Sequence, residues 1–501
     1  MSASSQLAAT RGHQHDHRWL ILVIIATAQL MVVLDATIVN IALPSAQQAL
    51  GFANDQRQWI VTAYALAFGS LLLLGGRIGD LFGRKWAFIG GLIGFALASA
   101  VGGAAQSFGV LVASRALQGV FGAILAPAAL STLANAFQDP RERGRAFGVF
   151  GAVAGGGGAV GLLLGGALTE YASWRWCFYV NLIFATVAAI GGLIYLRNEA
   201  NPQRPKLDLL GSAIAAAGLF GLVFGFSHAE SDGWTDRLTV TALISGVVLL
   251  AGFVLVERRV EHPLLPLRIV LDRNRGGAYL AVGVTAIAIF GVFLFLTYYL
   301  QLTKGFSPMK TGVAFLPMIT FILLSSTIAN VKLLPIFGAR RLITTGMLFG
   351  ATGMFFLSRI TADSGYALHI LPALPLMGLG FGLIFAPAIN TATAGVARAD
   401  AGIASAMVNT MQQVGGSIGT ALLSTIAAGA ATRYATSHPG RTAVIDAAVH
   451  GYTIAFMISG AIFLLGAVTI FMLIHPHVDP NAEPEAAPVY HHPAPAQSVA
   501  R

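Results

Sequence analysis

The sequence predicts an all-α membrane protein of fourteen transmembrane helices, arranged as two six-helix halves with a two-helix insertion between them. Three observations carry that expectation. Of 501 residues, 56% are hydrophobic and only 10% are charged, against roughly 25% charged in a soluble domain, so the chain has too little polar surface to coat itself in water. The apolar residues fall in uninterrupted blocks of about 20, the length that crosses a bilayer as a helix. Finally, the chain repeats itself. "FGRKWAFIGGLIGFA" from Phe82 returns as "FGARRLITTGMLFGA" from Phe337, and "RGRAFGVFGAVAGGGGAVG" from Arg143 as "AGIASAMVNTMQQVGGSIG" from Ala401. The two offsets agree, so one half recurs after an insertion.

The blocks lie near 19–43, 58–79, 86–105, 108–136, 145–168, 175–197, 207–227, 238–257, 277–300, 312–335, 341–360, 366–391, 402–428 and 449–474, each bounded by charged or Gly/Pro-bearing turns. Residues 1–18 form a polar tail. The first block is too long for a signal peptide and no small-residue cleavage site follows it, so it reads as a retained span. The first half covers 19–200, the insertion 201–260 and the second half 261–475. The Pro/Ala-rich tail at 476–501 is expected to be disordered.

Lysine and arginine set the orientation. With the N-terminus in the cytoplasm, "GRK" at 83–85, "RERGR" at 141–145, "RPK" at 204–206, the basic stretch at 257–275 and "ARR" at 339–341 share one side. That side holds about 21 of the 30 Lys and Arg and the other about 8, a clear positive-inside bias. Both termini are then cytoplasmic, and the expected location is the inner (plasma) membrane. The net charge of +9 follows from orientation; dispersed over short loops, it argues against nucleic acid as a partner. The single cysteine, Cys177, excludes an intramolecular disulfide framework and a cysteine zinc site. No cofactor is expected. The histidines of "HQHDH" at 13–17 read as a solvated segment and no metal site is expected. No Walker loop and no H-E-x-x-H motif occurs, which argues against an ATP-driven pump and a metalloenzyme.

Asp35 is the first candidate functional residue. A carboxylate inside a membrane helix costs roughly 2.5–3.5 kcal/mol on insertion scales and usually marks a proton or ion path. It lies roughly 24 Å up a 30 Å core, and Arg115 in the fourth span lies at roughly 18 Å, so the two fall within about a turn in depth. Pairing favours the ionised acid and burial the neutral one; a static ion pair is the alternative use. Glu170, at the outer end of the fifth span, is the nearest substitute.

Gly156, Gly158 and Gly161 have G-x-G-x-x-G spacing, but they sit inside an apolar block with no preceding strand, so a nucleotide turn is rejected. Gly157, Gly161 and Gly165 recur every four residues and form one helical face suited to close helix packing. Asp80, Arg84 and Lys85 occupy the turn after the second span, with Gly76 and Gly83 beside them; a carboxylate there suits the positive N-terminal end of another helix. Asn40, Tyr64, Gln118, Asn181, Tyr298, Asn390, Asn409 and Gln413 are polar or amphipathic residues in or near the spans. They are candidates for a cavity between the halves, with helix–helix hydrogen bonding as the commoner use.

"LDATIVNIALP" at 34–44, "GGRIGDLFGRK" at 75–85, "RALQG" at 115–119, the glycine run at 151–166 and "EHPLLPL" at 261–267 together resemble the successive signatures of the 14-helix drug:proton antiporter branch of the major facilitator superfamily. The resemblance runs from about residue 19 to 475 and implies export of drug-like, amphipathic or cationic compounds in exchange for protons. The alternative on the same fold is a dedicated exporter, symporter or uniporter of one metabolite. The resemblance also implies that the fifth-span glycines form a smooth contact between the halves, and that Asp80 gates against helix thirteen near Gly402. This chain departs from the pattern at Gly157–Gly158, where a Gly-Pro pair is usual, and at Leu162, often a second proline. The implied partners are a small-molecule substrate, protons and the lipid bilayer; a periplasmic adaptor is left open.

Overall fold

The computed structural model describes residues 3–53, 56–137, 139–197, 208–260, 265–394, 396, 401–440 and 443–475. Among them are fourteen helices of twenty residues or more: α1 (Ala3–Leu50), α2 (Trp59–Phe82), α3 (Arg84–Gly103), α4 (Phe108–Ala136), α5 (Pro140–Tyr171), α6 (Trp176–Tyr195), α7 (Leu209–Asp232), α8 (Arg237–Glu257), α10 (Arg273–Tyr298), α11 (Pro308–Ile328), α12 (Leu334–Leu357), α13 (Ala373–Thr393), α14 (Ala401–Ser437) and α15 (Ala443–Leu473). A short α9 (Leu267–Leu271) precedes α10. Ten helical stretches are long and apolar enough to cross a membrane. α1 is helical from Ala3 and runs on to Leu50, past the expected end at 43. The tail at 476–501 lies outside the described residues.

Local chemistry sets the helix ends. Asp208, Asp236 and Asp272 accept from the first-turn amides of Gly211 (2.8 Å), Leu238 (2.8 Å) and Arg275 (2.9 Å), satisfying donors that a helix start leaves unpaired. Ser307 caps α11 ahead of Pro308. Exposed tryptophans flank the apolar surface, with Trp19 and Trp86 towards one end and Trp176 and Trp234 towards the other, as at the two interfaces of a bilayer.

Packing repeats with the sequence. In the first half α1 packs on α5 and α6, α2 on α4, and α3 on α4 and α6; in the second α10 packs on α14 and α15, α11 on α13, and α12 on α13 and α15. The echoed turn is the same backbone device in both copies. Gly83 between α2 and α3 has φ +90°, and Gly338, where α12 kinks, has φ +73°, a region an L side chain rarely adopts. The halves meet through α5 with α11 and α2 with α14, equivalent pairs under the repeat. Insertion helix α7 packs on both α2 and α14, whereas α8 packs mainly on α7 and turns Leu238, Ile244, Val247, Val248 and Leu255 outward. The insertion therefore lies along one seam between the halves.

Candidate functional site

Asp35 sits in the C-terminal half of α1, 0% exposed, and among the described residues its donors come from the first half of the molecule. Arg115 of α4, 1% exposed, donates from Nη1 to Asp35 Oδ2 at 2.6 Å. Gln118, one turn along α4, donates from Nε2 to Asp35 Oδ1 at 2.9 Å, and Asn181 of α6 donates from Nδ2 to the same oxygen at 2.8 Å. Arg115 also donates from Nε to the Ile60 carbonyl of α2 at 3.1 Å and from Nη1 to Gln118 Oε1 at 2.8 Å. Its guanidinium lies 4.4 Å from the centroid of the Tyr64 ring, a cation–π contact. Ser99 of α3 completes the cluster, accepting from Gln118 and Asn181 at 3.0 Å each.

This arrangement surrounds both carboxylate oxygens with donors. A buried charge is tolerated only when paired and hydrogen-bonded, and Asp35 has an arginine on one oxygen and two carboxamide donors on the other. Helix geometry brings the donors together: Arg115 and Gln118 are three residues apart and share one face of α4, while the contacts of α1 with α4 and α6 present both helices to α1. The cluster closes around Asp35, so Gln118 and Asn181 belong to the carboxylate and do not stand apart as cavity lining. Ser99 was not singled out in the sequence. The signal available was a serine inside an otherwise apolar span, one of many.

The other candidates scatter. Asn40 bonds its own helix at the Ala36 carbonyl, as Asn409 does at Ser405. Asn390 pairs with Asn330 at an exposed position. Tyr298 is fully buried beneath the guanidinium of Arg57, 3.6 Å from its ring centroid. Gln413 lies against Gly69 where α14 meets α2, 3.1 Å from the place a Gly69 Cβ would occupy.

The glycine face of α5 requires a correction. Gly157, Gly161 and Gly165 do pack closely, but against α1 of the same half: a Cβ would meet Val33 at 3.1 Å from Gly157, the Thr37 hydroxyl from Gly161, and Ile38 at 2.7 Å from Gly165. The contact between halves falls to the adjacent face, where a Cβ on Gly166 would come within 2.7 Å of Met309 and one on Gly312 of α11 within 2.6 Å of the Leu162 carbonyl. The reason is geometric. A four-residue spacing follows one stripe of the helix, and α1 occupies that stripe.

Glu170 lies at the end of α5 and accepts from the Met309 amide of α11 at 2.9 Å. The Ser307 hydroxyl and that amide hold its carboxyl below the usual range. It is a surface carboxylate capping a helix of the other half and does not belong to the Asp35 cluster. At the opposite end, Lys85 donates to the Leu193 carbonyl at 2.8 Å, Arg84 opens α3, and a Cβ on Gly76 would lie 3.6 Å from Pro127, an ordinary contact. The tight approach there is Gly75, whose Cβ would strike the Ala123 carbonyl. The side chain of Asp80 and the surroundings of Gly402 lie outside what the structure describes. No group of metal-ligating side chains occurs among the described residues.

Two pseudo-symmetric helical halves, each built of six packed helices and one holding a sequestered carboxylate–arginine pair, define a membrane carrier. The chain belongs to the Major Facilitator Superfamily, whose profile matches residues 25–420. It is 50% identical over 94% of both chains to the puromycin resistance protein of Streptomyces alboniger. It is 38% identical to a cephamycin export protein of Amycolatopsis lactamdurans, over 81% of this chain and 84% of that one. Among solved structures it resembles an auto-inhibited POT family peptide transporter (TM-score 0.66, 18% identity, 93% of this chain and 99% of that one). It also resembles a bacterial homolog of the human lysosomal transporter Spinster (TM-score 0.63, 14% identity, 91% and 97%). The protein is a multi-pass membrane transporter of small molecules and not an enzyme.

Proposed function

We propose that this transporter exports drug-like, amphipathic or cationic small molecules in exchange for protons, from the plasma membrane, with its basic end and both termini in the cytoplasm. The observation that carries the reading is the Asp35–Arg115 pair, sealed at 2.6 Å inside the first half. A carboxylate there has two workable states. Ionised, it is held by Arg115, Gln118 and Asn181. Protonated, it no longer attracts Arg115, which is left as an uncompensated buried cation and must find another partner. Proton uptake thereby changes what α4 and α2 offer each other, because Arg115 also holds the Ile60 carbonyl. Proton binding and a shift in conformational population become one event.

The likeness to proteins named for resistance to puromycin and export of cephamycin supports antibiotic-like compounds as the cargo. An aminonucleoside such as puromycin is the first compound to test, since that relative covers 94% of both chains. The experiment is transport into inverted vesicles with the pH gradient imposed and then collapsed, using puromycin beside a panel of dyes and other antibiotics. Accumulation that requires the gradient supports exchange for protons; accumulation indifferent to it refutes the coupling. Uptake of puromycin alone from the panel favours a dedicated exporter.

A further inference from the structure

Ser99 is fully buried in α3 and its hydrogen bonds run to Phe178, Gln118 and Asn181, yet its single hydroxyl determines how the site is wired. Its hydrogen is committed: Oγ donates to the Phe178 carbonyl of α6 at 2.8 Å. The same oxygen therefore can only accept from the two carboxamides 3.0 Å away, and the atoms that Gln118 and Asn181 turn towards it must be their nitrogens. Each NH2 group has a second hydrogen, and both lie against Asp35 Oδ1, at 2.9 and 2.8 Å. Arg115 Nη1, donating to Gln118 Oε1 at 2.8 Å, fixes the Gln118 amide in the same sense.

We infer that Ser99 is a positioning residue for proton coupling: by locking the Gln118 and Asn181 amides as donors to Oδ1, it directs the proton to Oδ2 and so makes protonation of Asp35 require the departure of Arg115. This rests on the reading of Asp35 as the proton carrier. With Oδ1 already taking two N–H bonds, a proton there would face two donors, whereas Oδ2 is held by Arg115 alone within the cluster. Without the Ser99 oxygen, the Asn181 amide, whose Oδ1 has no partner among the described residues, is free to rotate and offer its carbonyl to a protonated Asp35. The neutral acid then gains an acceptor, and the carboxyl should hold its proton to higher pH.

The test is the pH titration of the carboxylic acid C=O stretch by infrared difference spectroscopy on purified, full-length transporter, beside the pH profile of puromycin transport. In the parent a carboxyl band should titrate and vanish in Asp35→Asn. In Ser99→Ala its midpoint, and that of transport, should move upward by about one pH unit, and Ser99→Thr, which keeps the hydroxyl, should restore both. A purely structural role lowers the amount or activity of protein at every pH without moving the midpoint. A band lost in Asp35→Asn with an unmoved midpoint in Ser99→Ala overturns the inference alone. A titrating band that survives Asp35→Asn overturns the proton-carrier reading and this inference with it. The infrared readout needs no transport.

Discussion

At the scale of single residues, titration and shape at Asp35 separate cleanly. Asn at position 35 keeps the size and one acceptor oxygen and loses the titratable proton. Asp35→Asn is expected to abolish gradient-driven export while the protein still inserts and still binds neutral substrates, read by vesicle transport beside equilibrium binding. Vesicles of this variant that concentrate a cationic dye on a proton gradient alone would move the carrier elsewhere. Asp35→Glu keeps a titratable group displaced by one methylene and should retain partial activity with a shifted pH optimum. Arg115→Lys keeps the charge but cannot span Asp35, Gln118 and the Ile60 carbonyl together, nor stack as a plane on Tyr64. A loss of about tenfold in transport is expected, roughly 1.4 kcal/mol, with a smaller change in substrate affinity.

At the scale of elements, α5 is joined to α1 by glycines that have no room to grow. At Gly161 a Cβ already collides with the Thr37 hydroxyl, whereas nothing lies within 4 Å of a Cβ at Gly156. Gly161→Leu should drive the two helices apart, at a cost of about 1–3 kcal/mol or more, and cripple transport. Gly156→Ala should leave transport and thermal stability nearly unchanged. Thermal melts and vesicle transport on both variants check this, and equal outcomes would dismiss the one-face argument. Because this face bonds helices of the same half, Gly161→Leu is also expected to lower the yield of folded protein, a consequence that a contact confined to the halves' interface would not carry.

At the scale of the whole molecule, several contacts join the halves at the end opposite the basic turns. Glu170 caps α11 at Met309, Gln301 donates to the Ile41 carbonyl at 3.1 Å, and Arg57 lies over Tyr298. Opening that end in a transport cycle must separate them. Glu170→Gln weakens the cap by removing charge from a helix N-terminus and should shift the population towards an opening at that end. Spin-label distances between the α5–α6 and α12–α13 turns, in a Cys177→Ser background, should lengthen; unchanged distances would remove Glu170 from the closure. The pH sign follows from its lowered pKa. The ionised cap is present above the ordinary carboxylate range, about 4, and is lost only as pH falls through the lowered value. Closure should be insensitive to pH near neutrality and weaken only in acid.

Much of this architecture was legible in the chain because a bilayer leaves few solutions. Apolar blocks of bilayer length must be helices, since buried backbone groups have no water to bond, and the repeat of "FGRK" as "FGAR" reports a duplicated turn whose glycine both copies hold at positive φ. The approach of Asp35 to Arg115 followed from depths within about a turn of each other, because rise per residue converts sequence position into height. Depth and periodicity leave rotation about the helix axis undetermined. Only the packed structure decided that Gly161 faces α1 while Gly166 faces α11, that Gln118 and Asn181 turn towards Asp35, and that Ser99 ties them. Those facts depend on which neighbour each stripe meets, a property of all the helices at once. The sequence by itself determined the helical class and the approximate height of the elements; tertiary structure decided their facing, and so which polar groups share one buried carboxylate.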